Sequence, residues 1–476
     1  MTFPANKTKI VCTVGPASSS PEVLEQMILA GMNIVRLNFS HGDFSSHAEI
    51  IRKIREASGK TGRRITIMAD LPGPKMRIGN LDSEPIELKP GDPFTLTTAD
   101  INGNRERVSV SFSRLPQALK PGDRLFLNDG YIQLKVKEVG KEDVHCRVLV
   151  GGELRSRKGL NLPGIDLGIS AFTTRDHECL KFALEHGVDA VSQSFVETEA
   201  DIHAVRKAAR DLGHDPFIIA KIERSGARNH MEKILDAADG IMVARGDLGV
   251  EIPIEQIAAA QKQIIKQANI KCKPVITATQ MLESMTKNQR PTRAEATDVA
   301  NAILDGTDAV MLSGESAMGR YPIDAVAMLA KIAAAIEPYR LRLPIQETLQ
   351  NECSPICVKP QDLIALSVET AVRRVIPPTV IVPTRSGATA RSISRFRFPV
   401  WITAVSRLEK TCQGLLFSYG VYPVHEPDHP ENWKQWAQTF LQDKGVEGKL
   451  VVLTEGPSAR HPERNNRMEI INLDEP

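Results

Sequence analysis

At 476 residues the chain exceeds one ordinary domain, and at ~150 residues each about three domains with a large buried core are expected. Its 42% hydrophobic and 25% charged residues exclude disorder, collagen-like repeats and coiled coil, and 60 Lys plus Arg against 58 Asp plus Glu leave no global field for nucleic acid or an anionic membrane. Seven scattered cysteines read as reduced thiols of a cytoplasmic protein, and neither a membrane span of ~18 apolar residues nor a signal core is found.

From Thr8 onward, short β-branched runs alternate with helical periods: KIVCTVG, NIVRLNFS and RITIMAD, later DAVSQSFV, PFIIAKIE, GIMVARGD, PVITATQ and DAVMLSGE. Strand followed by helix, eight times over, predicts a closed (β/α)8 barrel more readily than an open doubly wound sheet. After the third run the rhythm breaks. Turn-rich alternating segments (PIELKPGDPFTLTT, RERVSVSF, DRLFLND, YIQLKVKEV, DVHCRVLV) predict a small antiparallel β-barrel domain inserted at 71–167, over the barrel face that carries active sites. The barrel is then built from 1–70 and 168–343. A polar, Pro-dotted linker follows, holding Cys353 and Cys357, whose spacing lacks the further ligands of a zinc site. Residues 344–476 repeat an α/β pattern and predict a three-layer C-terminal domain.

Polar residues gather where the barrel strands end. Arg36, Asn38 and Ser40 alternate with apolar neighbours, so one strand points all three the same way. Asp70 closes the third strand, Lys221 and Glu223 the fifth; Gly246 and Asp247 follow the sixth, Thr279 the seventh, Ser313 and Glu315 the eighth. Taken singly, Arg36–Asp70, or Lys221 with Glu223 or Asp247, is an ordinary structural ion pair. The whole ring calls for a metal and an anion: Glu223 and Asp247 are hard ligands suited to magnesium, and Arg36 and Lys221 suit a phosphoryl group. Gly59-Lys60-Thr61 lacks the earlier glycine of a Walker loop, so side chains and metal must hold the phosphates.

The segments TKIVCTVGPAS, NIVRLNFSHG, GPKMR, RKGLNLPG, AKIE, ARGDLGVE, TATQMLESM, PTRAEATDVANAI and MLSGESAMG, in this order, resemble the pyruvate kinase family in its compact bacterial form. The resemblance implies phosphoryl transfer from phosphoenolpyruvate to ADP, giving pyruvate and ATP in the last step of glycolysis, usually by a homotetramer. It implies that Lys221 stabilises the transferring group and the enolate, that Arg36 binds phosphate, and that Gly246, Asp247 and Thr279 cradle the substrate. It implies that Glu223 and Asp247 hold Mg2+ (Mn2+ as substitute), and that Asn38, His41, Arg77 and Lys158 meet the nucleotide. The proton donor stays open among Thr279, Ser313 and Glu315. A magnesium-dependent lyase on the same barrel is the competing reading, against which Arg77, Lys158 and the lid speak; a non-catalytic sensor would need damaged metal ligands.

Two departures matter. Family members that need potassium hold it with groups matching Asn38, Ser40, Asp70 and the carbonyl of Leu71, beside a glutamate; here Lys75 stands in that position, and an internal ammonium replacing the ion is expected. In the C-terminal domain, Thr384, Arg385, Ser386, Gly387 and Thr389 open a helix as a phosphate-binding effector loop or as a plain cap. A second loop around 460–467 departs from the fructose-bisphosphate pattern, which leaves the phosphorylated effector unnamed.

Overall fold

Each barrel strand is a short, almost wholly buried run, as a parallel sheet covered on both faces requires. The computed structural model describes residues 2–165, 168–340, 360–428, 430–456 and 466–474; the linker with Cys353 and Cys357, and most of the loop at 460–467, lie outside them. Lys9–Thr13, Ile34–Asn38, Thr66–Leu71, Ala190–Gln193, Phe217–Ile222, Gly240–Ala244, Val275–Ala278 and Ala309–Leu312 pair in parallel with their neighbours in sequence. The eighth returns to the first at Lys9↔Ala309, which closes the barrel.

Alternation along these strands sorts side chains into two populations. Ile10, Cys12, Val35, Leu37, Ile67 and Ala69 pack outward against the helices. Val11, Ile34, Met68, Ala190, Ile219, Met242, Ile276 and Ala309 form a separate apolar cluster within the barrel. Phe417 from the C-terminal part joins that inner cluster and stacks on Phe217 with ring centroids 5.0 Å apart. Two residues further along each strand, the same parity carries Thr13, Arg36, Asp70, Ser192 and Lys221.

The insert has its own apolar core, including Phe94, Leu96, Leu125, Leu134 and Val148. Most of its strands pair antiparallel as expected, with one correction: Pro93–Thr97 and Arg107–Ser109 run parallel. Its ladders are a six-stranded sheet and a two-stranded ribbon, Ile86–Leu88 with Gly152–Leu154. In the C-terminal part the sheet order is Val421–His425, Trp401–Ser406, Thr379–Pro383, Leu450–Glu455 and Arg467–Asn472, with only the last strand antiparallel. Apolar clusters on both faces of this sheet make the expected three layers. Arg397 joins it to the barrel, gripping buried Asp308 at 2.5 and 2.7 Å. No helix among the described residues is long and apolar enough to cross a membrane.

Candidate active site

The polar inner layer at the C-terminal rim is one connected network. Arg36 donates to Asp70 Oδ2 from Nε at 2.8 Å and from Nη2 at 2.5 Å, while its Nη1 reaches Thr13 Oγ1 at 3.0 Å. Asp70, 2% exposed, also accepts from Ser192 Oγ at 2.7 Å and stands 3.2 Å from Lys221 Nζ. Lys221 meets Glu223 Oε1 at 2.8 Å and Ser194 Oγ at 2.7 Å. Glu223 uses its other oxygen to accept from the Phe195 amide at 2.8 Å.

Mutual charge decides the ionisation of these groups. Burial pushes the Asp70 carboxyl up, but Lys221 and Arg36 outweigh it and hold the group well below the usual carboxylate range. For Lys221 burial acts downward, and Asp70 with Glu223 more than compensates, so the ammonium is firmly charged. Glu223 is pushed up, by burial and then by the negative charge of Asp247, with Lys221 opposing. Two neighbouring carboxylates that repel each other are a place for a cation.

Asp247 lies in the first turn of the short helix Arg245–Glu251. The Gly246 amide there donates to Thr279 Oγ1 at 2.8 Å. Thr279 and Gln280 have φ of +68° and +52°, a region that a β-branched residue seldom occupies and that aims this turn at the rim. Arg245 fixes the same turn by donating to the Ala278 and Thr279 carbonyls at 3.2 and 2.8 Å.

The groups expected around a monovalent cation are all engaged by the protein. Asn38 Oδ1 accepts from the Ser40 amide at 3.1 Å, Ser194 Oγ donates to the Leu71 carbonyl at 2.7 Å, and Lys75 Nζ donates to Ser40 Oγ at 3.0 Å. Although the Lys75 side chain is exposed overall, burial of its ammonium and then the charge of Lys221 push its pKa down. His41 is pushed down too, by burial and then by Lys75, Arg77 and Arg36. From the insert, exposed Arg77 comes near enough to act on His41 while its Nη1 donates to the Arg157 carbonyl at 2.9 Å, and half-buried Lys158 offers its carbonyl to the Ile78 amide at 2.9 Å.

Glu315 is fully buried, and its two oxygens accept from the amides of Leu282 at 3.0 Å and Ser313 at 2.8 Å, so it ties together the segments that follow the seventh and eighth strands. Ser192 and Ser194 were missed by the sequence reading, although their i, i+2 spacing is the signal that marked Arg36 and Asn38. In the C-terminal loop, Thr384 Oγ1 accepts from Gly387 N at 2.9 Å and Ser386 Oγ from Ala388 N at 3.4 Å, a cap made by the loop itself. Exposed Arg385 has its carbonyl held by Thr411 at 2.6 Å; Thr389 is half-buried. Arg467 is spent on Glu455 at 2.5 Å.

A charged inner layer at the C-terminal rim of a closed parallel barrel, overhung by an inserted sheet, is the construction of a (β/α)8-barrel enzyme. Residues 5–326 match the family described as pyruvate kinase, barrel domain, and 362–471 the one described as pyruvate kinase, alpha/beta domain. The chain is 46% identical to a pyruvate kinase of Thermococcus litoralis, over 99% of this chain and 100% of that one. With a pyruvate kinase of Geobacillus stearothermophilus it shares 40% identity over 98% of this chain and 80% of the relative. A crystal structure of a pyruvate kinase from Cryptosporidium parvum superposes with a TM-score of 0.91 at 36% identity, covering 98% of this chain and 96% of that one. The chain belongs to the pyruvate kinase family, a family of phosphotransferases.

Replacing Glu315 by alanine leaves the buried Leu282 amide unmatched, at about 1–3 kcal/mol, and the half-buried Ser313 amide without its partner. Urea unfolding is expected to show that loss, and a Glu315→Ala protein as stable as wild type would contradict the positioning role.

Proposed function

We propose that the chain transfers the phosphoryl group of phosphoenolpyruvate to ADP, giving pyruvate and ATP in the last step of glycolysis, as a cytoplasmic homotetramer. The observation that carries this reading is the juxtaposition of Arg36, Asp70 and charged Lys221 beside Glu223, whose carboxyl in turn feels the charge of Asp247. A carbon–carbon lyase on the same barrel has no use for the insert's cations.

The substrate phosphoryl group lies against Arg36 and Lys221. Lys221 stabilises negative charge on the transferring group and on the enolate oxygen; Asp70 and Glu223 keep it protonated, and Ser194 holds its ammonium in place. Gly246 and Asp247 amides, with Thr279, receive the substrate carboxylate. Asn38, His41, Arg77 and Lys158 receive the nucleotide phosphates, and the insert closes over the rim to exclude water. Glu223 and Asp247 would hold Mg2+, or Mn2+ in its place; when bound, the ion neutralises developing charge on substrate oxygens. The proton reaches the enolate by a water-linked relay drawn from Thr279, Ser313 and Glu315.

Lys75 takes the part of the potassium ion. Its ammonium already occupies Ser40, and like charges at ~4 Å cost on the order of 4 kcal/mol at an effective dielectric near 20, enough to suppress a bound ion. In the C-terminal part, Thr384, Arg385, Ser386, Gly387 and Thr389 would receive the phosphate of an activating metabolite, with rearrangement of their own cap bonds.

A coupled assay for ADP-dependent pyruvate formation tests the activity itself. Lys221→Met is expected to lower kcat by at least ~10²–10³ while magnesium binding, followed by titration calorimetry, persists; near-normal turnover would refute the assignment. Exchanging potassium salts for a large organic cation at constant ionic strength should leave the wild-type rate unchanged, and Lys75→Glu should be weak until potassium is added. A wild-type rate that collapsed and recovered with potassium chloride would overturn the internal-cation reading. Activation by some member of a panel of phosphorylated metabolites should disappear in Ser386→Asp; no response in wild type would reduce the loop to a cap.

A further inference from the structure

Away from the rim, unmatched positive charge concentrates between the barrel and the C-terminal sheet. A small cavity of about 10 Å³ there is lined by residues that include Lys273 and Asp308 from the barrel and Arg391, Arg395, Arg397 and Ser418 from the C-terminal side. That is room for one water or one monatomic ion, and too little for a tetrahedral oxyanion.

The donors of this cavity outnumber its acceptors. Arg397 spends Nη1 and Nη2 on Asp308, Asn269 Oδ1 and the Gly306 carbonyl. Arg395 spends Nη2 on Asp362 at 2.6 Å and Nη1 on the Ile270 carbonyl at 3.3 Å. The Nε–H groups of Arg395 and Arg397 and the Ser418 hydroxyl are left buried without a partner, in residues 3%, 9% and 1% exposed respectively. Lys273 and Arg391 add two further cations that meet only backbone carbonyls: Lys273 donates to Ala238 at 2.7 Å and Arg391 to Ser386 at 2.9 Å. Burial pushes both down, with Asp239 opposing. That aspartate is itself held by Arg206 at 2.9 Å. With Asp308 and Asp362 neutralising Arg397 and Arg395, the charges of Lys273 and Arg391 remain unbalanced around the cavity.

We propose that this cavity binds a monatomic anion of the halide class, clipping the C-terminal sheet to the barrel. The unmatched groups decide between anion and water. Two guanidinium N–H groups can only donate, and the hydroxyl can turn its hydrogen the same way; an anion accepts from all three, whereas a water must also place two hydrogens of its own. An anion also neutralises charge that burial makes costly. Arg391 links the clip to the loop at Ser386, so occupancy is sensed where an effector is proposed to bind, while the anion itself stands apart from that reading and from the catalytic one.

The test uses the full chain. Crystals soaked in sodium bromide are expected to show an anomalous peak in this cavity. In solution, replacing sodium gluconate by sodium chloride at constant ionic strength should raise the wild-type melting temperature by on the order of 2 °C. Ser418→Ala removes a single hydroxyl and should weaken that chloride effect, and Arg391→Gln should abolish it. A cavity that holds only water in bromide, or a chloride effect equally large in wild type and Arg391→Gln, would overturn the proposal.

Discussion

The structure depends on how a closed barrel fills its own interior. Alternate strands of the eight contribute the inward side chains of each layer, about four to a layer, and no water reaches the lower layers to solvate a charge. Apolar Val11, Ile34, Met68 and Ile219 fill the deep layer, so the charged residues two positions later must satisfy one another. Asp70 is the hub: Arg36, Lys221 and Ser192 all converge on it. Breaking one partner of such a buried set leaves an uncompensated charge, at a cost of about 3–5 kcal/mol, which makes the network rigid as well as polar. Rigidity is what electrostatic stabilisation of a transferring group needs, because donors already in place pay no reorganisation.

The same network reaches the hinge of the insert. Ser194 bonds both Lys221 and the Leu71 carbonyl, and Phe195, with φ of +59°, offers its amide to Glu223. Gly73 lies against this segment at φ of +64°; a Cβ there would stand 2.8 Å from the Phe195 ring and 3.2 Å from Ser194 Cβ. Only glycine lets the hinge pack so close. The residues leading into the insert therefore rest on the groups that hold Lys221 and Glu223.

The C-terminal part completes the barrel as well as adjoining it. Phe417 enters the inner apolar cluster beneath the charged layer, and Asp308, preceding the eighth strand, accepts from Arg397 and from the Tyr419 and Val275 amides. The C-terminal part is thus joined to the barrel through packed, buried contacts.

From sequence alone, the eight strands, the insert, the three-layer C-terminal part and the family were legible, because period-2 and period-3.6 patterns and the order of motifs are local properties of the chain. The polar ring was legible too, since Arg36, Asp70, Lys221 and Glu223 break runs that are otherwise apolar. Arg36 with Asp70 and Lys221 with Glu223 were legible as ion pairs, but the other partnerships were not. That Glu315 spends itself on two amides, that Ser192 and Ser194 brace Asp70 and Lys221, and that Lys75 reaches Ser40 depend on residues up to 122 positions apart meeting when the barrel closes. The parallel pair within the insert escaped for the same reason: alternation reveals a strand, but direction is set by which neighbour it meets. Composition and spacing determined which chemical groups this protein has at its rim; only the closed fold, by removing water from them, decided which are charged, which are committed to each other, and which are left for a ligand.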